Sequence, residues 1–169
     1  MTRLEQAIHQ LNLARTYTLG LLADIPEKDW FWMPASGVTH IAWQVGHLAA
    51  SQYHLTLARL RGVQPADQAL FPADNFVELF GRASTPLPDR EKYPTPTVLL
   101  STLKTITAQG MKVVSSLTEE ALDQPTEVPK PHRIMTTKLS ALWWCSQHEF
   151  LHAGQIGLLR RLLGATAKW

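Results

Sequence analysis

The stretch TKLSALWWCSQHEFLHAGQIGLLRRLL, residues 137–163, carries the helical pattern around which the chain is organised. On a helical wheel one face carries His148, His152 and Gln155 in its middle, together with the large apolar residues Trp144, Leu151, Leu159, Leu162 and Leu163. The wheel places four residues toward the opposite, solvated side: Ser146, Glu149, Gly157 and Arg160. The pattern therefore predicts a helix whose inward face is apolar except for two histidines and a glutamine.

The spacing of His148 and His152 has two interpretations. Residues at i and i+4 of a helix are neighbours, so their ring nitrogens can bind one metal ion. A buried imidazole without a partner costs about 1–3 kcal/mol, and hydrogen bonds from two core histidines to neighbouring groups would also avoid that cost. The position of both rings on an apolar face favours a metal, but the spacing alone leaves both interpretations open.

The string His148-Glu149-x-x-His152 also matches the zincin motif, in which the glutamate is the general base of a metalloprotease. In the metzincin continuation, glycine and histidine stand where this chain has Gln155 and Leu158. No aspartate, glutamate or histidine follows His152, so a third ligand has to come from upstream. The sequence therefore disfavours a protease.

Cys145 is a second residue that resembles a ligand, because it precedes His152 on the same predicted helix. Their separation corresponds to about 10.5 Å of helix rise, which is too far for both to share an ion with His148. We interpret Cys145 as a small buried core residue.

Length and composition limit the class of protein. The chain has 169 residues, enough for one domain with a sizeable core, and we expect a single domain over residues 1–169. No apolar run approaches the ~20 residues of a membrane span, and the first six residues lack the apolar core of a signal peptide. One cysteine excludes an intrachain disulfide, so a cytoplasmic protein is expected. A net charge of +2 argues against nucleic acid as a partner.

Four long helical patterns and no strand pattern predict an all-α four-helix bundle. The predicted helices cover residues 2–24, 39–61, 95–117 and 137–163. Residues 62–94 form a long, proline-containing connection between the second and third helices, with one short helical candidate at 75–80. Gly110 inside the third helix indicates a close backbone approach.

The second helix carries a polar ridge. The ridge consists of His40, Gln44, His47, Ser51 and His54. It is either the solvated face of the helix or, in part, a surface that faces His148 and His152. Its histidines are seven residues apart, about 10.5 Å along the axis, so at most one of them can reach a given ion.

Two motifs resemble the DinB-like (damage-inducible) superfamily. The first is Gly37-Val38-Thr39-His40-Ile41 followed by Gly46-His47-Leu48-Ala49. The second is His148-x-x-x-His152-Ala153-Gly154-Gln155-Ile156 followed by Leu159-Arg160-Arg161, and Trp30-x-x-x-Pro34 upstream is also similar to that family. The resemblance extends over all four helices but not to residues 62–94.

The resemblance implies a four-helix bundle, often a homodimer, with a divalent metal held by His47, His148 and His152. It implies nickel or zinc, with iron or manganese as further candidates. It also implies an enzymatic class, since relatives include transferases and isomerases that use a low-molecular-weight thiol such as bacillithiol or mycothiol.

We therefore expect a metal-dependent transferase or isomerase that joins a small-molecule thiol to a small electrophile. Three neutral nitrogens leave coordination positions open, as in catalytic sites. Gln155 is either a cofactor or substrate contact beside the ion or a core amide. The alternatives are a non-catalytic metal-binding stress-response protein, a metal-dependent hydrolase and a bundle without metal.

One side of the fourth predicted helix carries small and aromatic residues that bear on dimerisation. Gly154 and Gly157 share one side of the fourth helix with Trp143 and Phe150, away from the expected metal site. Small residues beside aromatic ones are typical of close packing against another element, either a second copy of the chain or another helix of the same chain.

Overall fold

The computed structural model describes residues 1–35, 37–128 and 132–168, and helices account for most of them. Six α-helices lie in these ranges: α1 (Arg3–Leu22), α2 (Ile41–Tyr53), α3 (Arg59–Arg61), α4 (Phe76–Phe80), α5 (Pro96–Ser115) and α6 (Lys138–Leu162). A π-helical turn, His54–Ala58, joins α2 to α3, so these elements form one long helix. No β-strand occurs in the described ranges. The predicted all-α class is confirmed.

The four long helices form the predicted bundle. Helix α1 packs on α6, and α2 packs on both α5 and α6. The predicted close approach at Gly110 is confirmed, because a Cβ atom there would overlap the side chain of Thr56 in the π-helical turn. The fold therefore places α2 against both α5 and α6.

Local capping explains where the long helices begin. Thr2 accepts a hydrogen bond from the backbone N–H of Glu5, and the Glu5 carboxylate accepts one from the Thr2 N–H. Thr95 caps α5, with proline at the first helical position, and Thr137 caps α6. A threonine hydroxyl satisfies an N–H group that the first helical turn leaves without a partner. The predicted starts of these helices are confirmed to within a residue or two.

The predicted solvated side of α6 is wrong. Ser146, Glu149 and Arg160 are 5%, 2% and 1% exposed, whereas Leu151 and Leu162, placed inward by the wheel, are 58% and 53% exposed. Helix α6 contacts both α1 and α2, so its buried surface is wider than one apolar stripe. Charged groups can line that surface because they have partners across the interface, which a helical wheel does not include.

Residues 62–94 run back along α2 and are part of the bundle surface. Four polar contacts fix this connection, in antiparallel order: Asp67 with Tyr53, Phe80 with His47, Ser84 with Trp43, and Leu87 with His40. The predicted short helix is present as α4, and Phe80 at its end is fully buried. The connection is therefore placed to influence whatever α2 binds.

Within the described ranges, no helix combines the length and the apolar character that a membrane span requires.

Candidate metal centre

Three imidazole rings meet between α2 and α6. The Nε2 atom of His148 lies 3.3 Å from Nε2 of His47 and 3.2 Å from Nε2 of His152. One nitrogen from each ring lies within 4.8 Å of the others, close enough for the three to hold a metal ion. His47 is buried, and the other two residues are half-buried, so the cluster lies at the edge of the core.

The three histidines of the polar ridge lie in three different environments. His40 is fully buried at the helix start, where its Nδ1 atom accepts a hydrogen bond from the Trp43 N–H at 3.0 Å. His54 lies on the surface, in the π-helical turn. Only His47 reaches the α6 histidines, as the 10.5 Å spacing predicts.

Oxygen acceptors orient two of the three rings. Nδ1–H of His47 donates to the carbonyl oxygen of Phe80 at 2.7 Å, and Nδ1–H of His152 donates to Oε1 of Gln44 at 2.5 Å. The protons are assigned to Nδ1 because these oxygens act as acceptors. In both rings the Nε2 lone pair is then free and faces the centre of the cluster, the arrangement that metal-binding histidines adopt.

Gln44 is held in place by its own hydrogen bonds. Its Nε2 group donates to Oγ1 of Thr39 at 2.9 Å and to Oε1 of Gln155 at 2.7 Å. The amide is fully buried, and both of its ends are satisfied. Gln155, the predicted cofactor or substrate contact, is exposed and reaches His152 only through Gln44.

Two of the three nitrogen–nitrogen separations in the cluster match those of a metal site. A tetrahedral site with metal–nitrogen bonds of about 2.0–2.1 Å has nitrogen–nitrogen edges of about 3.3 Å, and the two measured separations from His148 are 3.2 and 3.3 Å. Converging lone pairs repel one another unless a proton or a cation lies between them. The donor set and its geometry therefore suit a divalent cation.

The three rings are neutral imidazoles, each with one N–H: that of His148 either lies on Nε2 and is shared with its neighbours, or lies on Nδ1 and leaves Nε2 to a cation. Burial, together with the nearby rings, lowers the pKa of His148 to about 4 and that of His152 to about 3. Burial also lowers the pKa of His47, although the Phe80 carbonyl opposes the shift. All three rings are therefore neutral at pH 7, the protonation state that metal ligation requires.

Two further side chains of α2 contact His47. The Trp43 indole stacks on the imidazole, with centroids 4.8 Å apart and planes 9° from parallel. The Ser51 hydroxyl, one helical turn further along, lies 3.3 Å from Nε2 of His47. Trp43 fixes the plane of the ring, and Ser51 places a hydroxyl beside the nitrogen cluster.

Glu149 and Cys145 take no part in the cluster. Glu149 faces α1, where its Oε1 lies 3.0 Å from Nε of Arg15 and its Oε2 accepts a hydrogen bond from Nη2 at 3.0 Å. It is therefore not placed as a zincin base. Cys145 is buried as predicted, with its sulfur 3.6 Å from Oε1 of Gln52, and burial raises its thiol pKa.

The fold and the site together define a class of protein: a helical bundle in which three histidines meet between two helices. The sequence-family model of the DinB superfamily matches residues 10–156 of this chain, so the chain belongs to that superfamily. The family named by the resemblance is confirmed.

A solved structure supports the fold independently. The crystal structure of a conserved protein from Enterococcus faecalis is similar, with a TM-score of 0.73 and 19% sequence identity over 96% of this chain and 97% of that chain. At that identity the likeness shows the fold alone. A search of the curated proteins finds no match.

Proposed function

We propose that this chain is a metal-dependent enzyme that transfers a low-molecular-weight thiol to a small electrophile. His47, His148 and His152 are the proposed ligands of one divalent ion. The observation that supports this most directly is the convergence of three Nε2 atoms, two of which belong to rings whose Nδ1 protons are held by oxygen acceptors.

Nickel and zinc are the proposed metals, with iron and manganese as further candidates. Imidazole nitrogen suits zinc, nickel, copper and iron, whereas manganese prefers oxygen donors. Three protein ligands are one fewer than the four of a closed structural zinc site, so exogenous ligands can complete the coordination sphere. This open coordination supports a catalytic role.

The chain provides groups for binding and orientation at the open side. Ser51 can donate its hydroxyl to a ligand that binds beside His47, and Gln155 places an exposed amide next to Gln44. A divalent ion, when bound, would lower the pKa of a thiol at the open position and favour the nucleophilic thiolate. In the transfer, the S–H proton goes to solvent, a carbon–sulfur bond forms, and the leaving group departs with its electron pair.

Cobalt substitution tests this function. Binding of thiolate to a cobalt centre changes its visible absorption, so titration with several small thiols is expected to shift the spectrum of the cobalt protein. His148→Ala, which loses a proposed ligand, is the control and is expected to show no such spectrum. A cobalt protein whose spectrum ignores every thiol would exclude the transferase and favour a non-catalytic metal-binding role in stress response.

A homodimer is a separate part of the proposal. Trp143 and Phe150 are 45% and 36% exposed on α6, and a methyl group added at Gly154 or Gly157 would meet no atom within 4 Å. Tyr17 of α1 lies beside Phe150, with ring centroids 6.1 Å apart, so α1 covers part of this side of α6. The proposed partner of the part that stays exposed is a second copy of the chain. We also propose a cytoplasmic location, where small thiols are kept reduced.

A further inference from the structure

Residues 76–87, which we call the strap, contact the one proposed metal ligand that α2 supplies. Their first anchor is the Phe80 carbonyl, which accepts the Nδ1 proton of His47 at 2.7 Å. Because this hydrogen bond fixes the tautomer and the rotation of the ring, it sets the direction of the Nε2 lone pair.

The second anchor acts on the face of the same ring. Nε1–H of Trp43 donates to Oγ of Ser84 at 3.0 Å, and the Ser84 hydroxyl donates to the Gly81 carbonyl at 2.8 Å. The Trp43 ring lies against the His47 ring with centroids 4.8 Å apart. The strap therefore contacts His47 at the ring edge through Phe80 and at the ring face through Trp43.

Gly46 is the reason that the strap can approach so closely. The Phe80 ring occupies the space where a Cβ atom of residue 46 would lie, with its Cγ atom 2.6 Å from that position. The ring is fully buried and packs against Phe76, with centroids 4.7 Å apart. Any larger side chain at position 46 has to displace Phe80, and its carbonyl with it.

We propose that docking of the strap and binding of the metal are coupled, with Gly46, Phe80 and Ser84 as positioning residues for His47. This inference rests on the proposed metal site. A docked strap orients His47 for the ion, and by linkage the bound ion stabilises the docked strap by the same free energy. Binding of the metal therefore changes how firmly residues 76–87 are docked. These residues lie on the surface side of α2 rather than in the α6 interface.

The test compares matched glycine substitutions. Zinc affinity is measured by competition with a chromophoric chelator for the wild type, Gly46→Ala and Gly20→Ala. Loss of an outer-shell partner of a metal ligand reduces affinity by about 10–100-fold, and that loss is expected for Gly46→Ala. Gly20→Ala adds the same methyl group to α1, outside the metal site and the proposed dimer face, and meets no atom within 4 Å. Its affinity is expected to equal that of the wild type.

Two further measurements apply if Gly46→Ala does not fold. Ser84→Ala removes only the hydroxyl that holds Trp43, and a several-fold loss of affinity is expected. Amide hydrogen exchange of the wild type is expected to slow in residues 76–87 when zinc is added. The coupling is overturned if folded Gly46→Ala binds zinc as tightly as the wild type. It is also overturned if amide exchange in the strap is the same with and without zinc. A wild type that binds no zinc overturns the metal site itself, which is a different result.

Discussion

His152 and Gln44 are joined by a 2.5 Å hydrogen bond from Nδ1–H of the imidazole to Oε1 of the amide. The opposite end of the same amide donates to Thr39 and Gln155. The orientation of His152 on α6 is thus set by a buried residue of α2. The cluster depends on the packing of the two helices as well as on its three rings.

Gln44→Ala is expected to reduce metal affinity by about 10–100-fold, since it removes the acceptor that orients His152. The three proposed ligands remain in place, so the stoichiometry at saturating metal is expected to stay unchanged. Chelator competition measures both quantities. Gln68→Ala serves as the control, because this glutamine is exposed and its side chain donates to Asp74, away from the histidines. Equal affinities of the two variants would contradict a role for Gln44 in orienting the ligand.

Ser51→Ala separates ligand binding from metal binding. The hydroxyl lies 3.3 Å from Nε2 of His47 but is not a proposed metal ligand. We expect metal affinity close to that of the wild type and thiol affinity of the cobalt protein lower by several-fold, the usual effect of one lost hydrogen bond. Thiol titration of both proteins measures the difference, and unchanged thiol affinity would remove Ser51 from the binding site.

The Arg15–Glu149 pair is expected to be critical for stability. Removing one partner of a buried ion pair costs about 3–5 kcal/mol, because the other charge stays buried without compensation. Glu149→Gln is therefore expected to lower the free energy of unfolding strongly in urea titrations. Asp123→Asn breaks an exposed pair between Asp123 and Arg3, whose side chains are 67% and 43% exposed, and is expected to change the free energy of unfolding little. Similar losses in the two variants would refute the burial argument.

The Asp67 carboxylate, in the connection beside α2, is expected to make the stability of the fold depend on pH in the acid range. Burial alone would raise its pKa, but hydrogen bonds from Arg61, the Gln64 N–H and Tyr53 outweigh this and lower the pKa below 3.8. Because the pKa of Asp67 is lower in the folded protein than in the unfolded chain, its carboxylate stabilises the fold fully at pH values above the unfolded-state pKa. This stabilisation is lost as the pH falls through the folded-state pKa.

Asp67→Asn is therefore expected to flatten the fall in the free energy of unfolding below about pH 4. Urea unfolding between neutral and acidic pH measures this slope. Asp74→Asn is the control, because Asp74 is exposed and its carboxylate accepts from the exposed Gln68 side chain. An acid slope that is identical in wild type and Asp67→Asn would show that other carboxylates dominate.

The long helices and the pair formed by His148 and His152 could be predicted because their signals are local. Capping threonines precede α1, α5 and α6, and the i, i+4 pair on α6 follows directly from helix geometry. The choice of His47 required the resemblance to the DinB-like superfamily, since spacing alone left three histidines on the predicted helix 39–61.

The surroundings of the cluster could not be predicted, for physical reasons. The Phe80 acceptor is a backbone carbonyl 33 residues away from His47, and every residue carries such a group. Glu149 was expected on the solvated side because a wheel of α6 contains no information about Arg15 on α1. Only the glycine at position 46 could have indicated a close approach to α2.

The central claim is that one divalent ion is bound by His47, His148 and His152. Crystals grown with zinc, measured at wavelengths on both sides of the zinc absorption edge, test it most directly. We predict one anomalous peak per chain at about 2.0–2.1 Å from Nε2 of each ring, and no such peak in His148→Ala. Well-ordered density for the three rings without an anomalous peak between them in the wild type would contradict the account.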